Sequence, residues 1–230
     1  MRGMAVRAVI FDWGGTLTPW HTIDHELLWH EVCKPHFPAP QAGDVAQAIY
    51  AAERAVWEGI DRTQVSATLA QVFDRARVRA TDSVLSSYFD AWEPHTLTDP
   101  EALPLLRELR GRNIRIGVLS NTLWPRSAHE RCFARDQVSA LIDGAVYSSE
   151  IPWAKPHPEA FRAAMAAVGE HDPASCVFVG DRPYDDVHGA KGVGMRAVLV
   201  PHSGVPAFEA AVPDAVITSL AELMDHIDGW

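Results

Sequence analysis

Six short apolar runs limit what this chain can fold into: "AVRAVIF" (5–11), "IRIGVLS" (114–120), "GAVYS" (144–148), "CVFVG" (176–180), "RAVLV" (196–200) and "DAVI" (214–217). Each is short, rich in β-branched residues and apolar almost throughout, the pattern of a strand covered on both faces. From residue 101 onward these runs alternate with helical patterns such as "PEALPLLRELRGRN", "HPEAFRAAMAAVG" and "SLAELMDHI". Strand and helix in turn build βαβ units, so the expected fold class is α/β, a doubly wound parallel sheet with helices on both faces.

Between the first two runs that rhythm stops. Residues 23–94 hold four helical patterns, "IDHELLWHEVC", "QAGDVAQAIYAAERAVWEG", "TQVSATLAQVFDRARV" and "TDSVLSSYFDAWE", and no strand. They predict an all-helical domain at 23–94 inserted into a core of residues 1–22 and 95–230, with "EPHTLTDP" (93–100) as the return linker. A chain of 230 residues with 47% hydrophobic content has apolar mass enough for both.

In an open parallel sheet, ligands gather where strands end and loops begin. Four strand ends carry polar groups here: Asp12, then Ser120 with Asn121, then Lys155, and finally Asp181 with Asp185 and Asp186. Carboxylates, a lysine and a hydroxyl in one crevice suit a hard divalent cation, Mg²⁺, together with a phosphate whose charge the lysine balances. Lysine is scarce in this chain, occurring only at Lys34, Lys155 and Lys191, and Lys155 sits in "AKPHP" beside two prolines.

The sequence resembles the haloacid dehalogenase superfamily of hydrolases over nearly its whole length. That family's first motif, D-x-D-G-T, matches "DWGGT" except at its third place; the second matches "VLSN", the third "AKP", and the fourth, G-D-x-x-x-x-D, matches "GDRPYDD". The resemblance implies Asp12 as a nucleophile that forms an aspartyl-phosphate. It implies Ser120 and Lys155 as its catalytic companions, with Gly15, Thr16 and Asn121 also touching the phosphate. Mg²⁺ would be held by Asp12, the Gly14 carbonyl and Asp181, with Asp186 and Asp185 orienting it from behind. A helical cap between the first two motifs belongs to the same family pattern.

Gly14 is the departure. Family phosphatases carry a second aspartate there, whose carboxyl protonates the leaving group and whose carbonyl binds the metal. Glycine keeps the carbonyl and deletes the proton donor, and the pair Gly14-Gly15 is free to take positive φ. A positioned acid contributes roughly 10²–10⁴ in rate, so poor leaving groups should suffer most. His21, Asp24 and His25 follow closely and are candidates for a borrowed acid, against the plainer reading of a loop and a helix start.

The expected function is Mg²⁺-dependent hydrolysis of a small-molecule phosphate ester. Three alternatives stand beside it. Phosphonoacetaldehyde hydrolases also place a small residue at the third position of a D-W-x-G-T context and use a cap lysine, for which Lys34 is the only candidate. A 2-haloacid dehalogenase would have tyrosine in place of Gly14 and serine in place of Asp181. A silent ligand-binding protein would keep the fold without turnover.

Trp29, Trp57 and Trp92 read as core of the helical insert, with a place in the lining of a substrate pocket as the alternative for some of them, whereas Trp13, Trp20 and Trp124 sit near the expected site. Arg54 reads as solvent-facing, with a reach toward a substrate anion as its alternative, and Cys176 as a buried thiol. A formal charge of −10 without a basic cluster argues against nucleic acid as a partner. The three cysteines show no C-x-x-C spacing and suggest neither disulfides nor zinc, and no run has membrane-spanning length. With no apolar leader segment recognised at the N-terminus, a cytoplasmic protein is expected. Nothing in the sequence bears on oligomeric state.

Overall fold

All six apolar runs form strands in the computed structural model, which describes residues 5–202 and 204–230; residues 1–4, the start of the expected core segment, lie outside these. They are β1 (Ala8–Phe11), β2 (Arg115–Ser120), β3 (Gly144–Tyr147), β4 (Cys176–Gly180), β5 (Arg196–Leu199) and β6 (Ala215–Val216). They make one sheet in the order β3-β2-β1-β4-β5-β6, with every neighbouring pair parallel. The chain winds from β1 through β2 to β3 on one side, then returns to β4 on the other side of β1. Winding therefore reverses between β1 and β4, and a crevice opens at such a switch point. Asp12 follows β1 and Asp181 follows β4, so the two stand on either side of it.

The near-continuous apolar character of β1 reflects two covered faces. Val9 and Phe11 join Val177 and Val179 in one apolar cluster, while Ala8 and Ile10 join Phe178 and Phe161 in another. Successive side chains alternate between them, as the strand period of two requires.

Four helices separate β1 from β2: α1 (His25–Cys33), α2 (Gln41–Thr63), α3 (Leu69–Ala76) and α4 (Asp82–Trp92). Three begin at side-chain caps. Asp24 accepts from Leu27 N at 2.9 Å, Thr81 accepts from Val84 N, and Thr68 with Gln71 forms a reciprocal box. That box explains one difference from the sequence reading. The third pattern starts at residue 63, but the helix waits for its cap at Thr68, and Gln64 ends α2 in the left-handed region. The intervening residues cross to the core instead. Val65 pairs antiparallel with Trp153, Ser66 N donates to Pro152 O (3.0 Å), Ala154 N to Gln64 O (2.9 Å) and Leu69 N to Leu123 O (2.7 Å). A segment expected to be wholly helical thus contributes an extended bridge beside Lys155.

One apolar cluster runs from Val9 and Phe11 through Trp13 and Trp124 to Trp29 and Phe73, joining the insert to one sheet face. Trp29 stacks on Tyr88 with ring centroids 4.6 Å apart, and Trp124 Nε1 donates to Tyr88 Oη at 3.0 Å. The remaining helices are α5 (Ala102–Gly111), α6 (Arg126–Arg135), α7 (Pro158–Ala167), α8 (Gly189–Gly192) and α9 (Leu223–Ile227). Among the described residues, no helix is long and apolar enough to cross a membrane.

At the end of β4 a Cβ on Gly180 would run into the Asp186 carboxylate, whereas a Cβ on Gly14 would meet nothing within 4 Å. Gly180→Ala should therefore lower the unfolding free energy by about 1–3 kcal/mol, as overpacking does. Gly14→Ala should leave it nearly unchanged. Urea unfolding midpoints at constant slope measure both.

Candidate active site

Asp12 is fastened to the sheet by its backbone N–H, which donates to Val179 O at 2.8 Å. Lys155 arrives from the loop beyond β3 and is only 3% exposed. Its Nζ lies 2.7 Å from Asp12 Oδ1 and 2.6 Å from Asp186 Oδ1. The loop is held in place by Asn121, whose Nδ2 donates to Lys155 O (2.9 Å) and whose Oδ1 accepts from Lys155 N (2.8 Å). Asn121, expected as a phosphate contact, thus has its side-chain amide committed to positioning the lysine. The second Asp186 oxygen accepts from Arg182 N at 2.8 Å.

Asp181 completes the group. It is 0% exposed, and neither carboxylate oxygen has a hydrogen-bond partner among the described residues. Carboxylate oxygens of Asp12, Asp181 and Asp186 lie within 4.8 Å of one another, so a single ion could touch all three residues. Burial first, then repulsion from Asp12 and Asp186, pushes the Asp181 carboxyl up to about 8. Asp186 is also pushed up, by burial foremost, against the pull of Lys155. Burial alone would depress Lys155, but the two flanking carboxylates outweigh it and hold the ammonium above its usual range.

An ionised carboxylate stripped of water and of donors is unfavourable unless a cation compensates it. The orphaned Asp181 oxygens therefore fit a divalent ion, and an all-oxygen donor set fits Mg²⁺ better than a softer metal. Both Asp186 oxygens are already engaged, which suits an orienting part for that residue.

The two glycines after Asp12 differ. Gly15 has φ +79, and a Cβ on it would come within 2.9 Å of Asp181 Oδ2 and 3.0 Å of the Trp20 ring, so glycine is required there. Its carbonyl accepts from His202 Nε2 at 2.6 Å. Gly14 sits at φ −74, ψ 120, an ordinary extended conformation, so the positive φ expected of the pair belongs to Gly15 alone.

A cavity of about 640 Å³ opens over Asp12, with Gly14, Gly15, Ser120, Asn121 and Lys155 in its wall. Asp181 and Asp186 lie outside that lining. Thr16, expected at the phosphate, is also buried outside the wall; Thr18 lines it instead, its Oγ1 accepting from Gly15 N and donating to Trp13 O, both at 3.3 Å. The helical insert contributes His25, Glu53, Trp57, Asp61, Tyr88 and Trp92. Trp57 and Trp92 pack against the apolar cluster and also line the cavity, the alternative weighed for them, while Trp29 is core as expected. Trp13, Trp20, Trp124 and His21 also line it, and Asp24 does not.

Arg54 and Lys34 stand away from this wall. Arg54 pairs with Glu58 at 3.4 Å, and Lys34 pairs with Glu31 at 3.7 Å. Glu53 and Asp61 were not singled out from the sequence, although their spacing of four residues on either side of Trp57 places all three on one face of α2.

A family model described as haloacid dehalogenase-like hydrolase matches residues 6–194. The chain belongs to this family. A phosphatase of Mycobacterium tuberculosis, MT3486, is 37% identical over 132 residues, 56% of this chain and 56% of the relative. A phosphoserine phosphatase of Thermus thermophilus is 30% identical over 169 residues, 74% of this chain and 66% of the relative. The matched stretches thus span between about half and two thirds of those two proteins. The crystal structure of a HAD phosphatase from Thermococcus onnurineus shares the fold, with a TM-score of 0.67 at 21% identity over 97% of this chain and 99% of that one.

The raised Asp181 pKa has a consequence for this haloacid dehalogenase-like hydrolase. Between the ordinary carboxylate value of 3.8 and about 8, the folded state keeps a proton that the unfolded chain has lost. Stability of the protein in EDTA should therefore fall as pH rises through that window. Thermal melts at stepped pH should show this fall in wild type and a flatter profile in Asp181→Asn. Added Mg²⁺ should raise the midpoint most at the alkaline end.

Proposed function

We propose that the protein is a Mg²⁺-dependent hydrolase of small phosphate monoesters, acting through an aspartyl-phosphate on Asp12 without the usual acid at position 14. The observation that carries this reading is the buried Lys155 ammonium, shared by Asp12 and Asp186 beside the unpartnered oxygens of Asp181. Family membership and relatives named as phosphatases support it. A core at 1–22 and 95–230, a helical cap domain at 23–94 and a cytoplasmic location belong to the same proposal.

Lys155 holds one Asp12 oxygen at 2.7 Å and reduces the repulsion between that carboxylate and an incoming phosphate dianion. The Asp12 oxygen not held by Lys155 attacks phosphorus while the bond from phosphorus to the leaving alcohol breaks. Ser120, 3% exposed at the end of β2, offers its hydroxyl to the equatorial oxygens. When bound, Mg²⁺ supplies further charge neutralisation at the phosphate. Residue 14 offers the departing oxygen no proton, so that proton comes from solvent. Water then attacks the phosphorus of the aspartyl-phosphate, releasing phosphate and restoring Asp12.

The Schiff-base chemistry of a phosphonoacetaldehyde hydrolase finds no lysine here. Lys34 pairs with Glu31, Lys155 with Asp12 and Asp186, and Lys191 with Asp214 at 2.8 Å. None presents an unpaired amine to the cavity.

A panel of phosphate esters spanning leaving-group pKa, assayed with and without Mg²⁺, tests the proposal. Wild type should turn over aryl esters about 10²–10⁴-fold faster than alkyl esters, the range a missing acid explains. Gly14→Asp should narrow that gap, and Asp12→Asn should abolish turnover. Equal rates for aryl and alkyl esters in wild type would refute the missing acid.

A further inference from the structure

We propose that the leaving group of the substrate carries a positively charged nitrogen, held on the insert side of the cavity by Glu53 and the rings of Trp57 and Trp92. The inference rests on the phosphatase reading and names its substrate class.

Charge is divided across the cavity. Its fixed cations are Lys155 and Arg182, both on loops of the sheet core, where they stand beside Asp12 and Asp185. The helices of the insert add Glu53, Asp61, His25 and aromatic rings, and no lysine or arginine. The insert side of the cavity is thus anionic and aromatic, where a second anionic group on a substrate would be repelled.

Glu53 is the informative residue. It is 4% exposed, yet no lysine or arginine among the described residues lies within ion-pairing distance. Oε2 accepts from Trp29 Nε1 at 2.9 Å and lies 3.4 Å from His25 Nδ1, while Oε1 takes no hydrogen bond from the described residues. The neighbouring Arg54 is turned outward to Glu58 and lies over the Tyr50 ring at 5.9 Å. A buried carboxylate without a fixed cation, in the wall of an open cavity, calls for a mobile one. Trp57 follows one turn along α2, and Trp92 stands edge-on to His25 with centroids 5.5 Å apart. Aromatic faces attract ammonium groups, quaternary ones included, through the ring quadrupole. A phosphate monoester of an amino alcohol matches both ends of the cavity.

The test compares choline phosphate and ethanolamine phosphate with their uncharged isosteres, 3,3-dimethylbutyl phosphate and propyl phosphate, using the full chain with Mg²⁺. In at least one pair, kcat/KM should favour the ammonium ester by about 10–100-fold. Glu53→Gln should shrink that ratio mainly through KM, Trp57→Leu should shrink it independently, and Arg54→Gln should keep the wild-type ratio. Equal kcat/KM in both pairs, or a ratio untouched by both Glu53→Gln and Trp57→Leu, overturns the inference. Calorimetric affinities of the same four esters decide it without turnover, with tighter ammonium binding supporting it and equal affinities overturning it. Failure to hydrolyse even p-nitrophenyl phosphate counts against the phosphatase reading alone.

Discussion

A single buried ammonium holds together a crowd of negative charge. Asp12, Asp181 and Asp186 meet in space that water barely enters, and Lys155 reaches only two of them. The rest of the core serves that meeting. The reversal of winding between β1 and β4 brings Asp12 and Asp181 to adjacent strand ends. Gly15 and Gly180 remove the side chains that would push Asp181 and Asp186 away, and Asn121 fixes the loop that carries the lysine. The residual imbalance, concentrated on Asp181, makes the arrangement receptive to a divalent ion.

The two parts of the molecule meet this charge with opposite chemistry. Core loops supply the cations Lys155 and Arg182 beside Asp12 and Asp185, while the insert supplies carboxylates, an imidazole and indoles and no lysine or arginine to the cavity wall among the described residues. They are joined by direct contacts in the structure. The extended stretch around Val65 is hydrogen-bonded to residues 152–154, immediately before Lys155, and an apolar cluster runs through Trp13 and Trp124 into the insert. The position of the cavity roof and the position of the ammonium are tied through backbone.

Much of the core site was legible because parallel strands deliver their ends to one edge of a sheet. Once "VIFD", "VLSN" and "VFVGD" read as strands, the convergence of Asp12, Ser120 and Asp181 followed from topology. Lys155 stood out through the scarcity of lysine. The cavity roof was less legible. A helix face turned to a cavity and one turned to a core carry the same 3.6-residue period, so Trp57 and Trp92 looked like Trp29. Glu53, between alanine and arginine, gave no local sign of burial. The exchange of Thr16 for Thr18, and the use of the Asn121 amide as a clamp, depend on side-chain directions within a tight turn and a loop, which residue order alone does not determine.

The turn at Gly14 has kept an ordinary extended backbone with open space around it, although its neighbour Gly15 is confined to a conformation only glycine takes easily. No neighbouring atom among the described residues fills the space that a Cβ at residue 14 would take. A side chain could therefore be placed at residue 14 without rebuilding the turn. Position 14 is thus a place in the cavity wall where a new functional group could be introduced while the fold stays as it is.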